Sequence, residues 1–282
     1  MESCAIHKMQ QDMVIENYSP RTIEAYLWHV NAFHTFCAKP LDQVNEDDIR
    51  SYLYHIKAVK KFSNSNLRQA FSAIKYLYRH SLQMPLKLGE LKGPKRGRPL
   101  PLVLSREEIQ TIFHSIDNLK HRLILMTIYS AGLRLNEATH LRVTDIDSKR
   151  MTIRVCRGKG QKDRYTLLSP VLLSELRLYW LRYRPNPWLF PGRTKDKPIA
   201  DTSIQKAFQR ARERSGIRKE VTIHSLRHSF ATHLLEQGVN LFTIKELLGH
   251  KTIKTTLIYL HLQHPGRGAI VNPLDHMVLG TL

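Results

Sequence analysis

The residues best suited to chemistry are two arginines, a lysine, several histidines and one tyrosine, gathered in four segments. These are AGLRLNE (131–137), GKGQKDR (158–164), HSLRHSFATHL (224–234) and LGHKTIKTTLIYLH (248–261). Neither the paired carboxylates of an acid–base hydrolase nor the several acids of a two-metal nuclease stand near them. What is present suits a phosphodiester whose negative charge grows in the transition state and is met by fixed cations.

Each residue type has a role in that task. Arg134 and Arg227 can each offer a planar two-donor fork to nonbridging oxygens. His224, three residues before Arg227, shares its helix face. His250 precedes the segment holding Tyr259, whose phenol is a weak nucleophile until nearby cations favour the phenolate. Expulsion of a 5′-oxygen needs a proton donor, and Lys159 on a hairpin tip fits. Singly, each has an ordinary reading: Arg134 as a surface arginine after a glycine helix stop, Lys159 and Lys162 as turn lysines, and Tyr259 as one of 11 tyrosines. His224 and His228 are spaced like a metal pair, but no glutamate lies between them and nothing is spaced to complete a site, so no metal is expected.

The elements that must position these groups can be read from periodicity. Ser19-Pro20 caps a helix with Ile23, Leu27, Val30 and Phe33 on one face. Asn45 opens a second helix with acids in its first turn, and a third runs from about Asn64 with Leu67, Phe71, Ile74 and Tyr78 inward. Arg68, Lys75 and Arg79 on the other faces are candidate phosphate contacts. KGPKRGRPLPL then forbids a regular helix, so residues 92–102 are expected to be an extended basic linker, with Lys95, Arg96 and Arg98 against DNA. The expected division is 1–91 helical, 92–102 linker and 103–282 catalytic. Beyond the linker, Ser105 to Glu108 forms a capping box, and Met151–Cys156 and Tyr165–Leu168 form a hairpin whose basic tip brings Lys162 and Arg164 to DNA. Helices follow around 171–183, 202–214, 225–236, 242–248 and 252–260. The fold class is mainly α with a small β-sheet.

Composition agrees with a nucleic-acid partner. The 282 residues carry 44 Lys+Arg against 24 Asp+Glu, a net charge of +20, with 42% hydrophobic residues. That is enough apolar material for a core, and the charge favours a polyanion. No apolar stretch nears the roughly 18 residues of a membrane span, and the first residues lack a secretory apolar region. Three scattered cysteines suit reduced thiols in the cytoplasm.

Taken as an ordered set, the four segments resemble those of the tyrosine recombinases, the integrase family of site-specific DNA recombinases. AGLRLNE is similar to the first arginine box, HSLRHSFATHL to the histidine–arginine box, LGHK to the second histidine and TTLIYLH to the nucleophile segment. SPRTIEAYLWHVNAFHTFC resembles the start of the helical, SAM-like core-binding domain that precedes the α+β catalytic domain.

The resemblance implies that Arg134, Lys159, His224, Arg227, His250 and Tyr259 are the catalytic residues, with Glu137 supporting the first arginine. Lys159 is chosen over Lys162 because the family's lysine usually lies between two glycines; Lys162 stays open. Tyr259 would form a 3′-phosphotyrosyl link and release a 5′-hydroxyl, with neither cofactor nor metal. The implied partners are double-stranded DNA and three further copies in a tetramer on two sites, without a membrane, leaving room for a directionality or accessory protein. The implied location is the cytoplasm, at the bacterial nucleoid when acting.

Pro265, Gly266, Gly268 and Pro273 interrupt the tail that Xer-type housekeeping recombinases commonly keep helical. The expectation therefore leans to a mobile-element integrase, with a Xer-type role as the alternative. Type IB topoisomerase-like relaxation, a non-catalytic DNA-binding regulator and an RNA-binding protein are the other readings.

Overall fold

A computed structural model describes residues 2–84, 100–156 and 163–262. The chain forms two compact units, Met1–Arg98 and Pro99–Leu282.

The first unit is helical. It comprises α1 (Glu2–Ile15), α2 (Pro20–Cys37), α3 (Glu46–Ala58) and α4 (Asn64–Tyr76), the last running into one π turn, Leu77–Ser81. Ser19 accepts the Thr22 amide with Pro20 in the first helical turn, and Asn45 and Asp48 form a reciprocal capping box. Val30, Phe33, Ile49, Ile74 and Leu77 close the core together with Met9 and Met13 of α1. That first helix is absent from the sequence reading. Its apolar stripe is carried by sparse methionines and alanine, too weak to show as periodicity.

In the second unit, α5 (Arg106–His114) begins at the Ser105–Glu108 capping box. Helix α6 (Leu119–Ala131) is central, buried on several faces by Leu123, Ile124, Leu125, Ile128 and Ala131. It is followed by the short α7 (Leu135–Thr139) and an antiparallel sheet in the order β1 (Ile146–Asp147), β2 (Thr152–Val155) and β3 (Arg164–Leu167), with Val155 opposite Arg164. Helices α8 (Pro170–Tyr183), α9 (Asp201–Arg214), α10 (Ile223–Glu236) and α11 (Leu241–Leu248) complete it. Helices α8 and α10 both pack on α6.

One expected element is different. The helix anticipated over 252–260 is instead two 3₁₀ turns, Ile253–Thr255 and Leu257–Leu262. Thr256 N–H bonds to Ile253 O at 2.7 Å and Tyr259 N–H to Thr256 O at 3.0 Å, both i→i+3 spacings. The β-branched run Thr252, Ile253, Thr255, Thr256 and Ile258 disfavours an α-helix, and Gly249 in the left-handed region has already stopped α11. Among the described residues no helix is long and apolar enough to cross a membrane.

Candidate active site

The site begins at the end of α6. Gly132 has φ +62°, and a Cβ there would sit 2.5 Å from the Phe230 ring and 2.9 Å from Leu248. Both the backbone conformation and the space therefore require glycine. We expect Gly132→Ala to cost at least about 2 kcal/mol in denaturant unfolding; an unchanged midpoint would contradict this packing.

The turn after Gly132 delivers Arg134 to the N-cap of α7, and RLNE is a local device for holding it there. The Arg134 amide donates to Glu137 Oε2 at 2.8 Å while its Nη1 donates to Oε1 at 2.7 Å. The side chain stays 43% exposed, so the rest of its fork faces solvent.

Glu137 organises more than Arg134. Arg164 of β3 donates from Nη1 and Nη2 to its two oxygens at 3.0 and 2.8 Å, and Arg227 Nη1 lies 3.7 Å away. Burial alone would push the Glu137 carboxyl up; the Arg164 guanidinium, then Arg134, outweigh it and bring it down to about 2. Three cations from three distant segments thus share one carboxylate.

This corrects the reading of Arg164 as a DNA contact. The side chain is 9% exposed, and its Nε donates to Leu247 O at 2.9 Å, so all three nitrogens are committed inside the protein. Strand alternation explains it: Arg164 and Thr166 face inward while Tyr165 and Leu167 face out.

Arg227 also differs from expectation. Its guanidinium is fully buried, donating to Gly132 O from Nη1 and to Leu248 O from Nη2, both at 2.7 Å. Burial lowers it to about 9, Arg134 adding to the effect, so it still carries its charge at neutral pH. In this conformation it clamps the ends of α6 and α11 onto α10, while Arg134 offers the open fork.

His224 is exposed, and its ring meets His228 edge-on at 4.5 Å. Desolvation, then Arg227 and Arg134, hold His224 below the usual imidazole range. It opens onto a groove of about 600 Å³ lined by Leu133, Leu135, Gln205, Gln209 and Arg212. His250 Nδ1 bonds the buried Thr256 hydroxyl at 2.9 Å, and its ring lies nearly parallel to Tyr259, 12° apart in plane with centroids 6.4 Å apart. Burial, then Arg227 and Arg134, bring it down to about 3, which leaves it neutral.

Tyr259 is 1% exposed, packed with Phe230, Ala231, Leu235, Ile244 and Leu248. Its hydroxyl meets His228 Nδ1 at 3.1 Å. The sequence predicts that neighbouring cations favour the phenolate. In this conformation burial wins: it raises the phenol to about 12 despite the opposing Arg227 and Arg134 charges. In the described conformation the Tyr259 side chain is covered and not open to a phosphate.

The structure brings Arg134, Glu137, His224, Arg227, His250 and Tyr259 together. Lys159 and Lys162 lie outside the described residues, as do Lys95, Arg96, Arg98 and the tail from residue 263. Lys75 and Arg79 are exposed and Arg68 is half-buried, all in the first unit. Sequence reasoning passed over His228 as a contact of Tyr259; its only signal was its spacing of four from His224.

Comparison with known proteins extends this geometry. Residues 103–265 match the model of the Phage integrase family, and residues 6–88 match "Phage integrase, N-terminal SAM-like domain". An integrase/recombinase of Sinorhizobium fredii is 42% identical over 256 residues, covering 90% of this chain and 83% of that one. The tyrosine recombinase XerA of Thermococcus kodakarensis is 34% identical over 260 residues, covering 90% and 89%. The crystal structure of the XerH site-specific recombinase bound to a palindromic difH substrate, a post-cleavage complex, superposes with a TM-score of 0.73 at 25% identity, covering 85% of this chain and 76% of that one.

Proposed function

The chain belongs to the phage integrase family of tyrosine recombinases, site-specific DNA strand transferases, and we propose that Tyr259 is its nucleophile. The observation that carries this is the convergence of Arg134, Arg227, His224 and His250, from three separate elements, around one phenol.

In the proposed reaction the scissile phosphate lies against the open fork of Arg134 and the exposed His224. Tyr259, released from its buried position, attacks phosphorus as its hydroxyl proton passes to the neutral imidazole of His224. The bond from phosphorus to the 5′-oxygen breaks, that oxygen takes a proton from Lys159, and a 3′-phosphotyrosyl ester remains. A 5′-hydroxyl from the partner duplex then attacks the ester. The attacking hydroxyl gives its proton to Lys159, the phosphodiester is restored, and Tyr259 regains its proton from His224. The ester conserves the bond energy, so the exchange needs no nucleotide hydrolysis. The cations work by lying where charge develops, which stabilises the transition state more than the ground state.

The partner is double-stranded DNA, bound by homo-oligomers, with Lys75 and Arg79 as backbone contacts of the helical unit. Action on cellular DNA places the protein in the cytoplasm. The proposed role is that of a mobile-element integrase, supported by Pro265, Gly266, Gly268 and Pro273 in the tail sequence.

The test is to incubate the full chain with sheared genomic DNA of its source cells, denature in SDS, and sequence both the trapped DNA and the modified peptide. The expected result is a phosphodiester remnant on Tyr259 and one recurrent DNA sequence. Trapping on a different residue would remove the assigned nucleophile, and no trapping under any condition would leave a DNA-binding protein without this chemistry.

A further inference from the structure

Tyr259 is held in two ways. An apolar cluster of Phe230, Leu235, Ile244 and Leu248 surrounds the ring, and one polar contact holds its hydroxyl at 3.1 Å from His228 Nδ1. His228 lies one turn beyond His224 on α10, its ring 5.7 Å from that of Tyr259. The phenol can only donate in this bond if the imidazole is neutral. Burial, then His224 and Arg227, bring His228 down to about 4, and its Nδ1 accepts in the neutral tautomer that carries the proton on Nε2.

The same quantities decide what the contact does. Burial raises the phenol and lowers the imidazole, so handing the proton to His228 in this position is strongly uphill. The bond therefore holds the hydroxyl in place and is no route for its proton. With Tyr259 1% exposed, the held position is also closed to DNA.

We propose that His228 is a positioning residue that docks the Tyr259 hydroxyl in its buried resting site, so that strand cleavage requires this hydrogen bond to break. The inference rests on Tyr259 being the nucleophile. The 3₁₀ turns that carry Tyr259 follow the left-handed Gly249, where α11 ends, so the segment can rearrange without unfolding α10 or α11. Docking then sets the fraction of molecules ready to attack, and its loss raises that fraction.

The test uses the full chain in two assays. The first is histidine ¹⁵N NMR of DNA-free protein, with His228 assigned from the spectrum of His228→Asn. The wild-type Nδ1 signal is expected to report an accepted hydrogen bond and to shift in Tyr259→Phe, which lacks the donor. The second is single-turnover adduct formation on a nicked duplex bearing the sequence recovered from trapped complexes. His228→Leu should form adduct about two- to tenfold faster, the span of one net hydrogen bond, with unchanged DNA affinity. His228→Asn, which keeps an acceptor near the Nδ1 position, should stay within about twofold of wild type by the same argument.

An unchanged Nδ1 signal in Tyr259→Phe overturns the proposal, as does a His228→Leu protein that melts normally but cleaves no faster. If His228→Leu does not fold, the Tyr259→Phe spectrum decides. If wild-type protein forms no adduct at all, the nucleophile assignment fails, and the spectrum still judges the docking contact.

Discussion

Arg227→Lys is expected to slow covalent adduct formation by about 10²-fold, the order of effect of misplacing a reacting group by an ångström, because Arg227 clamps the Gly132 carbonyl at the turn that delivers Arg134. It should also lower stability by about 2–3 kcal/mol. The two effects have one origin. Arg227 spans two backbone carbonyls, Gly132 O and Leu248 O, from separate nitrogens of one planar head, each at 2.7 Å. A lysine ammonium is a point donor on a flexible stem and cannot hold both carbonyls in that geometry, so one buried acceptor loses its partner, a cost of about 1–3 kcal/mol. Arg227 is a single buried side chain in a chain with 44 Lys+Arg, so long-range attraction for DNA should change little. Single-turnover cleavage, mobility shift and chemical unfolding measured together would check this. Weakened binding with normal cleavage would show that Arg227 acts on affinity instead.

Glu137→Gln should give the largest loss of stability, about 3–5 kcal/mol, because three guanidiniums would then share a site with no anion. The substitution is nearly isosteric, so packing is not the cause. One face of the amide would also point hydrogens at the donors of Arg164 or Arg134, where the carboxylate accepts at 2.7–3.0 Å.

The pH dependence offers a second reading of the same contact. The carboxyl sits at about 2, below its ordinary 4.5. A lowered value means that the folded state binds this proton more weakly than the unfolded chain. The stabilisation, about 3 kcal/mol by linkage, is therefore complete above pH 4.5 and disappears as pH falls towards 2. Denaturant unfolding between those limits should show that loss in the wild type and a flatter profile in Glu137→Gln. Parallel profiles would mean that Glu137 is not the keystone of the arginine cluster.

These predictions mark where sequence and structure divide. The capping signals Ser19-Pro20, Asn45 with Asp48, and Ser105 with Glu108 were legible because each is a local hydrogen-bond pattern written in three or four residues. RLNE belongs with them, since its capping box ties Arg134 to Glu137 without help from any other segment. The candidate residues of the site were legible as an ordered set, through the resemblance of four segments to those of the tyrosine recombinases.

Arg164 was misread because a charge on a basic hairpin looks solvated until the strand's inward face is known to meet a buried carboxylate. Tyr259 was expected beside cations that free its proton. The competing desolvation depends on Phe230, Ile244 and Leu248, which no local pattern associates with it. The turns that carry Tyr259 were read as a helix because their apolar spacing fits one, while the β-branched run favours tighter i→i+3 bonds.

The amino-acid sequence by itself therefore determined the family, and with it the reaction class, because four short segments in order carry the resemblance; it also supplied the candidate side chains. Only the tertiary structure decided which arginine is open to a phosphate, which are spent on Glu137 and backbone carbonyls, and that the phenol rests under cover. Those outcomes depend on desolvation and on partners far apart in the chain, and both quantities come into existence only when the segments pack.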